Sequence, residues 1–236
     1  MRRFEVEMND LKNRLMDMSG LVQEMIKTAI FGLVNRDSKL FSMVFSLEKE
    51  VNIQEIVVDD KCLKLIALNQ PVSGDLRFIT SAMKINSDLE RMADEAVNIS
   101  GRAVNLLKYP ELKPLVDIPK MSDIVQQMLA DSIRAFNTTD AELAKTVLVK
   151  DDEVDDLLKK LTSDLKDYMI KSTDFETIQR AVDLMFIARS IERIGDHATN
   201  ISEDVIFMVH GKDVRHPRAH VFKAEQQSHS DEGNTD

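Results

Sequence analysis

The sequence predicts an all-α protein made of two tandem three-helix bundles related by an internal repeat. Three observations predict it. The 236 residues hold only 7 Gly and 5 Pro, so turn signals are few, and long elements with few connections follow. Apolar residues recur in steps of three and four along most of the chain, the period of a helix face. The chain also repeats itself: Met18-Ser-Gly-Leu-Val-Gln-Glu-Met25 returns as Met121-Ser-Asp-Ile-Val-Gln-Gln-Met128, 103 positions later. Self-similarity at a fixed spacing is a stronger organising signal than propensity.

The first helix runs from about Val6 to Val34, with Leu11, Leu15, Met18, Val22, Met25 and Ala29 on one face. Asp37-Ser38 supplies a capping signal for the next. That second helix carries the stripe Leu40, Val44, Leu47, Val51, Val58, Cys62 and Leu65. Pro71 breaks it, and a third helix follows from about Asp75 to Leu107. Three prolines fall between Tyr109 and Pro119 and mark a linker. The second set spans about 120–136, 140–170 and 174–209, and its middle helix has the stripe Leu143, Val147, Val154, Leu161, Leu165 and Tyr168. The expected organisation is therefore a first bundle at 1–108, a linker at 109–119, a second bundle at 120–210 and a disordered, polar tail at 211–236.

Composition narrows the function. The net charge of −10 disfavours nucleic acid, whose backbone repels an acidic chain. The single cysteine, Cys62, excludes an internal disulfide and sits in an apolar helical run, where a core role is expected. No signal-peptide pattern and no run of membrane-spanning length is present. A cytoplasmic location is expected, with the membrane reached only through partners.

The third helix of each set carries Glu-Arg-x-x-Asp-x-x-x-Asn: Glu90, Asp94 and Asn98, then Glu192, Asp196 and Asn200. Positions i, i+4 and i+8 form one stripe on a helix, and two carboxylates one turn apart repel each other. Doing this twice in equivalent places points to an expected cation. The second helix of each set offers facing ligands, Asp151 and Asp155 in one and Glu48 and Asn52 in the other. Helical bundles build carboxylate metal sites in this way. Such oxygen-rich sites suit Mg, Mn, Ca or iron better than soft metals, and the lack of Cys ligands argues against thiolate zinc. A single copy of the motif would read as a solvated face, with Arg91 and Arg193 in weak surface pairs. His197 points about 100° away from Asp196 and is expected to be packed or solvated. The small residues Ala93 and Gly195 precede the aspartates and are expected at a helix–helix contact.

The two segments Leu89-Glu-Arg-Met-Ala-Asp-Glu-Ala-Val-Asn-Ile99 and Ile191-Glu-Arg-Ile-Gly-Asp-His-Ala-Thr-Asn-Ile201 resemble the signature of the PhoU family. The turn segment Leu65-Ile-Ala-Leu-Asn-Gln-Pro-Val-Ser-Gly-Asp-Leu-Arg77 and the segment Val209-His-Gly-Lys-Asp-Val-Arg-His216 resemble it too. The resemblance covers about residues 5–216. It implies a non-enzymatic regulator of phosphate uptake that acts with the phosphate ABC transporter ATPase and a sensor histidine kinase to repress the phosphate-starvation response. It also implies divalent or trivalent metal ions, iron or zinc, held by Glu90/Asp94 with Glu48/Asn52 and by Glu192/Asp196 with Asp151/Asp155. Asn52 stands where an acid is expected, so the second site is expected to bind more tightly. A homodimer is left open.

Two other classes compete. A ferritin-like carboxylate oxidase needs Glu-x-x-His elements, and the chain has none. A metal-free helical scaffold would use its surfaces alone and keep its acidic stripes solvated.

Overall fold

The computed structural model of the chain describes residues 3–172 and 174–212. Six long helices account for nearly all of them: α1 (Arg3–Asn35), α2 (Ser38–Asn69), α3 (Ser73–Leu106), α4 (Asp117–Thr138), α5 (Ala141–Lys171) and α6 (Phe175–His210). Among the described residues there is no strand, and no helix is long and apolar enough to cross a membrane. Of the tail expected to be disordered at 211–236, Gly211 ends α6 with its N–H on Phe207 O at 2.7 Å, and residues 213–236 lie outside the described residues.

The helix ends follow local chemistry, and they repeat. Arg36 and Thr139 both adopt the left-handed conformation, each at φ 57°. The following N–H groups, on Asp37 and Asp140, return to the carbonyls of Gly32 and Ala135 at 3.0 and 2.9 Å, closing α1 and α4 in the same manner. Asp37 and Asp140 then cap α2 and α5 by accepting from Lys39 N and from Glu142 N and Leu143 N. Asp174 caps α6 through Glu176 N and Thr177 N. The linker, residues 107–116, begins and ends earlier than the sequence suggests. Pro119 is the third residue of α4, in the first turn, where a helix needs no N–H donor.

Each repeat packs its three helices together, and α3 lies along α6 in the most extensive contact of the fold. The pair runs antiparallel. Going up α3, Arg77 donates to Met208 O (3.3 Å), Lys84 meets Asp204 (2.9 Å), Asp88 meets His197 (2.8 Å), Glu95 meets Arg193 (3.2 Å) and Arg102 meets Asp183 (3.1 Å). The buried residues of both halves form one cluster. Phe78 of α3 stacks on Phe136 of α4 with centroids 5.0 Å apart, an aromatic contact between the halves. The two bundles are thus sides of one core. One stripe member departs from expectation: Tyr168 is exposed, because the helix end carries it past the core that buries Leu65 in the first half.

Candidate functional site

The middle of the α3–α6 pair holds both acidic motifs, one on each flank. Glu90 and Asp94 sit one turn apart on α3 and face α2. Burial raises the pKa of Asp94 above its ordinary value, and the nearby Glu48 carboxylate adds to this. Glu90 is raised by burial and then by Asp94, Glu55 and Glu48. Glu48, half-buried on α2, accepts from Asn52 Nδ2 at 2.6 Å. The α2 and α3 carboxylates therefore share one field.

The second site repeats the arrangement. Asp151 is pushed up to about 6 by burial and then by Asp196, Asp155 and Asp152. Glu192 is raised by burial and by Asp196, against the pull of Arg189, whose guanidinium lies 2.9 Å from Glu192 Oε1. Asp196 is raised chiefly by burial, with Arg189 and His197 opposing. Four negative groups converge from α5 and α6, and only part of that charge is compensated.

Glu55, one turn beyond Asn52 on α2, belongs to the first site as well. It is raised by burial and then by Asp59 and Asp94. The first site thus holds Glu48, Glu55, Glu90 and Asp94, and the second holds Asp151, Asp155, Glu192 and Asp196. Counted with Glu55, the first site carries as many carboxylates as the second. The clue was in the sequence: Glu48, Asn52, Glu55 and Asp59 step by four, three and four along one helix face. Its counterpart in the other half is Leu158, so comparing the repeats hid it.

Asn98 and Asn200, grouped with the ligands on spacing, stand elsewhere. Asn200 Nδ2 donates to Asp88 Oδ1 at 3.3 Å and Asn98 Nδ2 to Glu95 Oε2 at 3.3 Å. Two turns past the glutamates, helix rotation has carried both toward the α3–α6 seam. There they support the His197–Asp88 and Arg193–Glu95 pairs. His197 is engaged in that seam, and Arg193 crosses to the other repeat. Cys62 is buried and its thiol is pushed up to about 12 by burial, which leaves it a core residue and no nucleophile.

Among the described residues no three Asp, Glu, His or Cys side chains close around a single point. The polar atoms nonetheless fit a cation. Asn52 Oδ1, Asp151 Oδ1 and Glu192 Oε2 are buried without a hydrogen-bond partner. An orphaned buried oxygen costs about 1–3 kcal/mol, and three such acceptors at these two sites all present lone pairs that a hard cation would satisfy. Gly195 contributes space: a Cβ there would stand 3.2 Å from Asp151 Oδ1 and 3.5 Å from Val125 Cγ1.

A tandem pair of three-helix repeats, with an oxygen-lined site on the third helix of each, defines a class of duplicated helical-bundle proteins. The PhoU domain family model matches twice, at residues 15–103 and 118–205. The chain belongs to the PhoU family. It is 42% identical over 210 residues to the phosphate-specific transport system accessory protein PhoU homolog of Aquifex aeolicus, covering 89% of this chain and 94% of that one. It is 33% identical over 214 residues to the phosphate-specific transport system accessory protein PhoU of Escherichia coli, covering 91% and 88%. The crystal structure of PhoU from Pseudomonas aeruginosa superposes with a TM-score of 0.85 at 36% identity, over 89% of this chain and all of that one.

Proposed function

We propose that this protein is a cytoplasmic, non-enzymatic regulator of phosphate uptake and phosphate-starvation signalling, with metal ions at its two acidic helix–helix sites. In this reading it holds the starvation response down when phosphate is plentiful, through the ATPase of the phosphate ABC transporter and a sensor histidine kinase. The regulatory half rests on relatives named as accessory proteins of the phosphate-specific transport system. The metal half rests on one observation: the orphaned oxygens of Asn52, Asp151 and Glu192 lie within clusters of mutually raised carboxylates.

A bound divalent or trivalent cation would supply charge compensation and a cross-link between neighbouring helices. Glu48, Asn52 and Glu55 with Glu90 and Asp94 would hold one, and Asp151 and Asp155 with Glu192 and Asp196 the other. The all-oxygen donor sets suit iron, Mg or Mn better than thiolate zinc. The chain's own contribution is rigid placement, since α2 and α5 carry one half of each donor set and α3 and α6 the other. No Glu-x-x-His element is present, which sets these sites apart from the ferritin-like oxidases.

Elemental analysis of the purified protein beside an Asp94→Ala/Asp196→Ala variant tests the metal reading. Bound metal in the wild type and its loss in the variant are expected; equal, negligible metal in both would overturn it and favour a metal-free scaffold. Co-purification with membranes holding the transporter and kinase, in high and low phosphate, tests the regulatory reading. No capture in either condition would count against it.

A further inference from the structure

Four ion pairs along α3 and α6 are one-sided: the acid is buried and the cation faces outward. The side chains of Asp183, Asp204, Glu192 and Glu95 are 2–11% exposed, and those of their partners Arg102, Lys84, Arg189 and Arg193 are 39–55% exposed. Arg91, in the first Glu-Arg-x-x-Asp motif, is exposed as well. On α3, Lys84, Arg91 and Arg102 are spaced by seven and eleven residues, which keeps them within about 20° of one line. Arg189 and Arg193 stand one turn apart on α6. The five form a ridge roughly 27 Å long on a chain of net charge −10. The cations are also held in place. Arg102 lies over the Phe186 ring at 4.3 Å and Lys84 over the Phe207 ring at 5.4 Å, and the buried acids fix the heads from below. Such pre-organised groups lose little freedom when a partner binds.

We propose that this ridge docks an acidic, amphipathic helix of another protein, and that metal at the two carboxylate sites switches the docking on. The switch depends on the metal ions proposed for Glu90, Asp94 and their partners. Between the ends of the ridge, the acids that reach the outside of α3 and α6 are Asp88, Glu90, Asp94, Asp196 and Glu203. Asp88 lies against His197. Glu90, Asp94 and Asp196 belong to the two sites, so bound metal takes up their charge and that of Glu192 beneath Arg189. With the sites empty, the carboxylates on both flanks repel an acidic partner; with the sites filled, the five cations dominate the surface. Charge complementarity selects the occupant. Cations spread over this length call for a row of carboxylates, which guanidinium groups accept in a bidentate fashion, and a single small anion would meet only one or two of them. Phe186 and Val104, both exposed, add apolar contact at the Arg102 end. A nucleic acid or an anionic lipid surface fits less well. Each is uniformly negative and extends past the ridge over the rest of an acidic chain, whereas one helix covers the ridge alone.

The probe is a labelled synthetic helix of about 20 residues, roughly 30 Å long, with glutamates on one face and leucines along its edge. Its binding to the full chain is followed by fluorescence anisotropy, after loading with Mn²⁺ and again in chelator, with the metal content of every sample measured. Binding at least tenfold tighter to the loaded protein is expected. Arg91→Gln/Arg193→Gln should weaken it tenfold or more with metal content and helicity unchanged, and Arg91→Lys/Arg193→Lys should recover part of the loss. Lys145→Gln/Lys159→Gln removes the same charge from exposed positions of α5 and should leave binding within about twofold of the wild type. Equal losses in the two glutamine variants would reduce the effect to net charge and overturn the proposal. So would a preference of the loaded protein for phosphatidylglycerol vesicles over the helix. Metal bound without a gain in helix binding overturns it and leaves the metal reading standing; no metal bound overturns both.

Discussion

Gly195 leaves room for Asp151: a Cβ at position 195 would stand 3.2 Å from Asp151 Oδ1, so the absence of a side chain on α6 lets an α5 carboxylate lean into the seam. Gly195→Ala therefore has two opposed effects. Alanine favours the helix by about 1 kcal/mol over glycine. The methyl group also crowds Asp151, which must give by a few tenths of an ångström. Metal-free variant protein should be as stable as the wild type or slightly more so, while metal bound at the second site falls severalfold. Urea unfolding in chelator, with elemental analysis of the same samples, separates the two. Unchanged metal content would mean that Gly195 serves helix packing alone.

The raised carboxylates make the metal-free protein more stable in mild acid. Asp151 titrates near 6 in the fold and near 3.8 as its ordinary value. Between those values the folded state binds more protons than the unfolded one, so stability falls as pH rises. It is fully present below about 4 and lost above about 6. Two units correspond to at most ~3 kcal/mol, which partial solvation of the site screens to roughly 1. Glu90, Asp94, Glu55, Glu192 and Asp196 are raised as well and add in the same direction. Thermal unfolding in chelator should show a higher midpoint at pH 5 than at pH 7.5. With metal present the order should reverse, because protons compete for the same oxygens. A metal-free profile flat across that range would mean that the carboxylates are well solvated.

The sequence made the helices legible because each buries a narrow stripe with a clear period. It made the acidic pairs legible because the repeat wrote them twice. It hid what differs between the halves. Glu55 has Leu158 as its counterpart and escaped a comparison of equivalent positions. Asn98 and Asn200 share the i+8 register with the glutamates, but which side of the α3–α6 seam that register reaches depends on the rotation of packed helices. Local spacing does not encode that rotation. Pro119 read as linker because a proline ends a helix interior, whereas in the first turn it costs nothing.

Glu55 makes the two sites comparable in charge, and this is measurable. Glu55→Gln should lower metal at the first site about as much as Asp155→Asn lowers it at the second. A Glu55→Gln/Asp155→Asn double variant should lose the sum, since the sites lie on opposite flanks of α3–α6 and share no ligand. Calorimetric metal titration of the three variants gives the comparison. Undiminished binding in Glu55→Gln would exclude that residue from the donor set and restore the imbalance implied by Asn52.

In the seam between the repeats, Asp88 accepts from Asn200 at 3.3 Å and lies 2.8 Å from His197 Nδ1. Both partners sit on α6 beside Asp196, so one carboxylate of the first repeat fixes the orientation of the helix segment that carries the second site. Asp88→Ala removes both contacts and leaves a partly buried imidazole nitrogen without its partner, a loss of about 1–2 kcal/mol. Asp88→Asn keeps one acceptor oxygen and should recover part of it. The effect should exceed that of an exposed acid of α5 such as Asp156, whose pair with Lys159 lies in solvent and whose removal should leave stability nearly unchanged. Chemical denaturation of Asp88→Ala, Asp88→Asn and Asp156→Ala, each in chelator so that metal does not enter, ranks them. Equal stability of the two alanine variants would show that the halves are held by their shared apolar core and that the Asp88 cluster adds nothing to it.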